Sequence, residues 1–376
     1  MEFSVITCSL IFLLAFANGT NDVSKAIATL VGSGVTTYRN AIAWGTLWTM
    51  AGAGAAAFLA TAMVKTFSSG FLHADLLIPS ALAPSILSGA LLWVLLASRT
   101  GLPVSTTHAL IGSLIGASLL AFGSHGLIWT TVSNKIALPL LLSPFLSLAL
   151  SFVVHPLIGL VAGRWEGTCV CIMPSHRALV SIDAGGGTRT WFQAKSIGIP
   201  VAAVPSQCDR ARLSGLIIGL DSIHWLSSGL TSLARGINDA PKIAAMLLLG
   251  STAVWPNTAL QITAFASVAI AMGVGSYWGG RRVTEMLAER VTKMNHVEGL
   301  SANLVTSSLV LLSGTLGLPV STTHVSSSAI IGIGLRKGIR GVGWSTVRDM
   351  VLAWVLTLPA TALLAVLSYW ILSTAF

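Results

Sequence analysis

Long apolar stretches separated by short polar interruptions run the length of this chain, and their spacing predicts helices that cross a membrane. The runs 41–64, 81–97, 136–163, 260–277 and 350–371 each reach or approach the ~20 residues that traverse a bilayer core as helix. A backbone in lipid must satisfy its own hydrogen bonds, so helices are the expected element. The period-two alternation of a membrane barrel is absent. The first run, 5–17, is flanked by Glu2 rather than by Lys or Arg and leads straight into a polar motif. It therefore reads as a retained first transmembrane helix and not as a removable leader.

Composition narrows the class further. With 54% hydrophobic and 9% charged residues and a mean hydropathy of +0.82, the chain cannot cover a soluble body of its size with polar surface. The net charge of +9 comes from basic residues scattered among the loops, a pattern of membrane orientation and not of nucleic-acid binding. Four cysteines give no disulfide framework. Cys169, Cys171 and Cys208 with His176 are a conceivable metal set, but unpaired thiols of a reduced compartment are the simpler reading.

The chain repeats itself. Gly-Leu-Pro-Val-Ser-Thr-Thr-His stands at 101–108 and again at 317–324, and Ala17-Asn-Gly-Thr-Asn-Asp-Val-Ser-Lys25 is echoed by Ala234-Arg-Gly-Ile-Asn-Asp-Ala-Pro-Lys242. The two motifs recur in the same order at displacements that agree to within one residue, which marks a duplicated unit. The expected organisation is a first transmembrane repeat (1–163), a polar cytoplasmic connector (164–212) and a second, inverted repeat (213–376). The fold class expected is all-α, each repeat carrying a discontinuous helix and a re-entrant hairpin. Gly185–Gly187 in the connector reads as a flexible turn, since no P-loop Lys-Ser/Thr follows it.

Charge sets the topology. With the N-terminus outside, 3–35 as one broken crossing and 80–122 as a hairpin whose tip is 101–108, the second half repeats the pattern upside down with a hairpin at 301–335. Of the 21 Lys and Arg, only Lys65 and Lys135 then lie outside, while Lys25, Arg99, Arg235 and Lys242 lie at membrane depth. All others, Arg281 and Arg282 among them, fall inside, as the positive-inside rule requires.

Ser105, Thr106 or Thr107 can cap a helix running to about Phe122, and Ser321, Thr322 or Thr323 can cap its mate. Asn21/Asp22 and Asn238/Asp239 are expected to cap two more, with Pro241 in the first turn of the latter. Four half-helices would then start near the midplane and present amides and hydroxyls to an anion. Lys25 and Lys242 would add charge, and the Asn and Asp side chains would ligate sodium or carry a proton. Each motif alone is more often a cap or a turn. Charged groups held at membrane depth in both halves reverse that balance, because each costs ~2.5–3.5 kcal/mol there. His108 and His324 fit a structural or a functional role equally. Asp221 and His224 share one helix face and are candidates for proton coupling, and Arg99 beside a tip is a candidate attractor of the anion. Neither Arg99 nor Arg235 has a basic counterpart in the other half.

At these motifs the chain resembles the inorganic phosphate transporter family, which is marked in each half by Gly-x-Asn-Asp and Pro-Val-Ser-Thr-Thr-His. Here these are Gly19–Asp22, Pro103–His108, Gly236–Asp239 and Pro319–His324. The resemblance covers both halves. It implies an inverted-repeat, homodimeric secondary transporter of the cell (inner) membrane and no enzyme, without a cofactor, moving inorganic phosphate with sodium or protons. It further implies that Ser105, Thr106, Thr107, Ser321, Thr322 and Thr323, with Asp22, Asp239, Lys25 and Lys242, hold phosphate. Asn21, Asp22, Asn238 and Asp239 would serve the coupling cation. Arg235 departs from the histidine expected before the second Gly-x-Asn-Asp. Sulfate is the alternative substrate, and Asp22 and Asp239, as acceptors for a P–OH group, favour phosphate.

Overall fold

The computed structural model describes residues 2–162, 169–175, 178–182, 188–192, 196–203, 216–249, 255 and 257–375. His176, Gly185–Gly187 and Cys208 lie outside these. In the first half, α1 (Glu2–Asp22) and α2 (Ser24–Gly32) are followed by α3 (Tyr38–Leu59), α4 (Thr61–Ser68), α5 (Leu82–Thr100), α6 (Thr106–Phe122) and α7 (Leu138–Ala162). In the second half, α8 (Leu220–Ala244) is followed by α9 (Thr258–Trp278), α10 (Arg281–Glu285), α11 (His296–Thr315), α12 (Thr322–Arg336) and α13 (Trp344–Ala375). The polar segment between the halves has backbone strands, Cys169–Ser175 pairing antiparallel with Ser196–Ala203 and Leu216–Ile218, and Ala178–Ile182 with Thr188–Phe192.

Seven helical stretches among the described residues have the length and apolar composition of a membrane span, and this is a multi-pass membrane protein. Its outer surface agrees. Phe145 and Leu160 on α7 and Leu363 on α13 are 66%, 71% and 70% exposed, which fits contact with lipid better than with water. The inner helix α8 is not among the seven, because its face is lined with Ser, Thr, His, Arg and Lys that the rest of the protein buries.

The two halves interlock rather than sitting side by side. α8 packs on α3 and α11, as α1 packs on α9 and α5, and α6 packs on α13 as α12 packs on α7. Small residues make the close approaches possible. The backbone of α13 at Leu358 and Ala362 faces Gly112 and Gly116 of α6, and the backbone of α7 at Leu148 faces Gly332 of α12.

Both hairpins turn through a left-handed glycine, Gly101 (φ +80°) and Gly317 (φ +69°), a conformation that side-chain-bearing residues disfavour. Ser105 and Ser321 then accept the amide hydrogens of His108 and His324 and start α6 and α12 as the sequence predicts. The other two anticipated helix starts need correction. Val23 keeps right-handed helical angles between α1 and α2, with no side-chain cap from Asn21 or Asp22. Asn238, Asp239 and Pro241 lie inside the unbroken α8, so Pro241 is not in a first turn. The Asn and Asp side chains are engaged with the opposite elements, described below, and so do not fold back as caps. Two helix N-termini reach the centre, not four.

Gly279 and Gly280 let the chain after α9 press against Thr20 and Val23, at the junction of α1 and α2. This brings the exposed Arg282 to the first tip, where its Nη1 donates to the Arg99 carbonyl.

Candidate functional site

The two tips and the two Asn-Asp motifs meet at one buried cluster. Asn21, Asp22, Lys25, Ser105, Thr106, Thr107, Asn238, Asp239, Lys242, Ser321, Thr322 and Thr323 are each no more than 5% exposed. Burying so many polar groups is tolerable only if they bond one another, and they do so with two-fold regularity.

The Val104 carbonyl of the first tip accepts from Lys25 Nζ at 3.1 Å and from Thr323 Oγ1 at 2.7 Å. The Val320 carbonyl of the second tip accepts from Lys242 Nζ at 3.1 Å and from Thr107 Oγ1 at 3.3 Å. Each tip is thus held by the lysine of its own half and the threonine of the other. Lys25 is ion-paired with Asp22, and Lys242 with Asp239 at 3.2 Å. Lys25 also donates to Asn21 Oδ1 at 2.9 Å, while the Asn21 amide donates to the Leu102 carbonyl at 3.1 Å. Asn238 Nδ2 donates to Asp239 Oδ1 at 2.8 Å and to the Val320 carbonyl at 3.2 Å.

At the centre lies Asn18, a residue sequence reasoning passed over. Its Nδ2 donates to Asp22 Oδ2 at 3.1 Å, Thr106 Oγ1 at 3.0 Å and Asp239 Oδ2 at 3.4 Å. Thr322 Oγ1 donates to the same Asp22 Oδ2 at 3.4 Å. The signal was present: Asn18 stands inside the repeated motif, directly before Gly19, and the repeat aligns it with Arg235. Arg235 is 1% exposed, and its Nη2 donates to Thr49 Oγ1 at 2.8 Å and Ser276 Oγ at 3.2 Å. Lys25, Thr231, Arg235, Thr306 and Thr322 line one narrow void.

The remaining candidates divide. His108 and His324 stack with ring centres 4.3 Å apart, and His324 also lies 4.1 Å from the Trp354 ring. Asp221 is exposed and bonds His296 at 2.6 Å, whereas His224 is fully buried. They share a helix but not an environment. The Arg99 side chain is exposed, apart from the buried cluster.

Such a constellation suits a tetrahedral oxyanion with a hard cation. It has hydroxyls and two helix N-termini for the anion, and carboxylates with amide oxygens for the cation. Asn18 Oδ1 and Asn238 Oδ1 are buried with no hydrogen-bond partner among the described residues, so both have lone pairs to offer.

Comparison with known proteins agrees with this chemistry. A sequence model of the phosphate transporter family matches residues 18–365. A protein of Mycobacterium tuberculosis named a probable low-affinity inorganic phosphate transporter is 30% identical over 361 residues, covering 94% of this chain and 74% of that protein. The chloroplastic inorganic phosphate transporter 2-1 of Arabidopsis thaliana is 28% identical over 96% of this chain and 70% of its own. Among solved structures, one described as the sodium-dependent phosphate transporter superposes with a TM-score of 0.78 over the whole of both chains at 24% identity. That last likeness establishes the shared fold.

Proposed function

We propose, starting from the fact that this chain belongs to the phosphate transporter family, that it is a secondary transporter carrying inorganic phosphate together with a coupling cation, sodium or a proton. Family membership places the chain among transporters and not enzymes. The observation that carries the reading is the convergence of Thr106, Thr322, Asp22 and Asp239 on Asn18 and on one another.

In this reading phosphate is held by Ser105, Thr106, Thr107, Ser321, Thr322 and Thr323 at the N-termini of α6 and α12, and a P–OH donates to Asp22 or Asp239. Asn21, Asp22, Asn238 and Asp239, with Asn18, serve the cation. Lys25 and Lys242 neutralise the carboxylates while the cluster is closed. The halves are inverted across the membrane, because each contributes an odd number of crossings beside its hairpin. Exposure of the cluster to alternate faces then follows from rearranging two like units. The protein acts as a homodimer in the cell membrane, with 164–212 in the cytoplasm.

The test is uptake of labelled phosphate by proteoliposomes of the full chain, under imposed sodium and proton gradients and with sulfate as competitor. Uptake is expected to be saturable, to depend on one of the gradients, to resist sulfate, and to collapse in Asp22→Asn and Asp239→Asn. Uptake that survives both substitutions overturns the assignment.

A further inference from the structure

Among the positions where the two copies of the motif differ, Asn18 in Ala17-Asn18-Gly19 stands against Arg235 in Ala234-Arg235-Gly236. Asn18 spans both carboxylates. Arg235 is buried and lines one void with Lys25 and Thr322, yet its hydrogen bonds go elsewhere. Thr49 and Ser276, both fully buried, take its Nη2, while Nε and Nη1 are buried with no partner among the described residues. The unused donors belong to a side chain that lines the same void as Lys25 and Thr322. A buried donor left unsatisfied is costly, and an Arg cannot shed its proton to escape that cost.

We propose that Arg235 is a resident cation of the transport site, a fixed guanidinium that takes the place of one coupling cation and so sets how many accompany each oxyanion. This rests on the phosphate reading above. Lys25 and Lys242 pair with Asp22 and Asp239, and Arg235 is buried on the void that Lys25 also lines, which leaves one positive charge in excess. Dihydrogen phosphate neutralises that charge by itself, and the hydrogen phosphate dianion needs one added cation. With a neutral side chain at 235, each requirement rises by one, because uncompensated charge is not tolerated at membrane depth. The unpaired Nε and Nη1 supply hydrogen bonds to the oxyanion that Asn18, already committed to three acceptors, cannot.

The experiment compares the full chain, Arg235→Gln and Arg235→Lys in proteoliposomes. It measures phosphate uptake against sodium at fixed pH and against pH at fixed sodium, and counts cations moved per phosphate. Arg235→Gln is expected to raise the order of the cation dependence by one. It should also weaken the apparent phosphate affinity about ten-fold or more at low cation concentration, with recovery as the cation is raised. Arg235→Lys should keep the native order. Native cation dependence in Arg235→Gln overturns the proposal, as does equal impairment of both variants at every cation concentration. The native chain provides a check that needs no variant: one cation per dianion supports the proposal and two or more overturn it. Native protein that moves no phosphate under any gradient removes the functional reading and this inference together, whereas uptake with unaltered cation order removes only the role of Arg235.

Discussion

Lys242 Nζ donates to Thr107 Oγ1 at 2.7 Å, joining the long helix of the second half to the hairpin tip of the first across 135 residues of sequence. The same ammonium pairs with Asp239 and reaches the Val320 carbonyl, so it ties three elements while itself buried.

That arrangement makes Lys242 and Asp239 energetically inseparable. Removing one partner of a buried pair leaves a bare charge and costs roughly 3–5 kcal/mol, whereas removing both costs much less. Lys242→Met and Asp239→Asn are each expected to lower the unfolding temperature in detergent, with the double variant more stable than their sum by at least about 1 kcal/mol. Additive losses would show that the two side chains do not depend on each other.

The two tips begin their helices with serines, Ser105 and Ser321, each accepting an amide three residues on. Replacing either by Ala should cost about 1 kcal/mol, and Asn in its place should restore most of it. Thermal unfolding checks the stability, and on the proposed reading phosphate affinity should fall as well, because Ser105 and Ser321 are among the hydroxyls assigned to the anion.

Glycine in each Gly-x-Asn-Asp motif serves packing. A Cβ on Gly19 would stand 2.7 Å from Ser276 N, and one on Gly236 would stand 2.6 Å from Ala53 N, both backbone atoms that cannot step aside. Gly19→Ala and Gly236→Ala should each lose about 1–3 kcal/mol or fail to fold. Gly54→Ala, with open space around it, should be neutral or gain up to about 1 kcal/mol. Yield of monodisperse protein in detergent separates the two classes.

The exposed pair Arg281–Glu285 at 2.8 Å provides a contrast. Glu285→Gln is expected to leave both the unfolding temperature and uptake unaltered. A large loss would show that α10 depends on that pair to keep its place near the first tip.

Much of the centre is legible in the chain because it is written twice. The starts of α6 and α12 follow from a serine before an apolar run, and the meeting of the tips follows from their recurrence in both halves. The Asn-Asp helix starts were not legible. An Asn or Asp ahead of a helical run looks alike whether it caps its own helix or reaches across to another, and only the packing of α5 and α11 against α1 and α8 decides this. Asn18 escaped notice because its counterpart in the second copy of the motif is Arg235, so the repetition that marks Asn21 and Asp22 does not mark it. The strands of 169–218 were hidden for a related reason, their short runs lacking the repetition that marks the membrane body.

The crossed grips on the Val104 and Val320 carbonyls have a mechanical consequence. Neither tip can withdraw without releasing the hydroxyl of the other, so on the proposed inverted arrangement unlatching toward one side of the bilayer breaks the same bonds as unlatching toward the other. A latch of that kind has no preferred direction. Any resting preference must come from where the halves are unlike, as Asn18 and Arg235 are at the core.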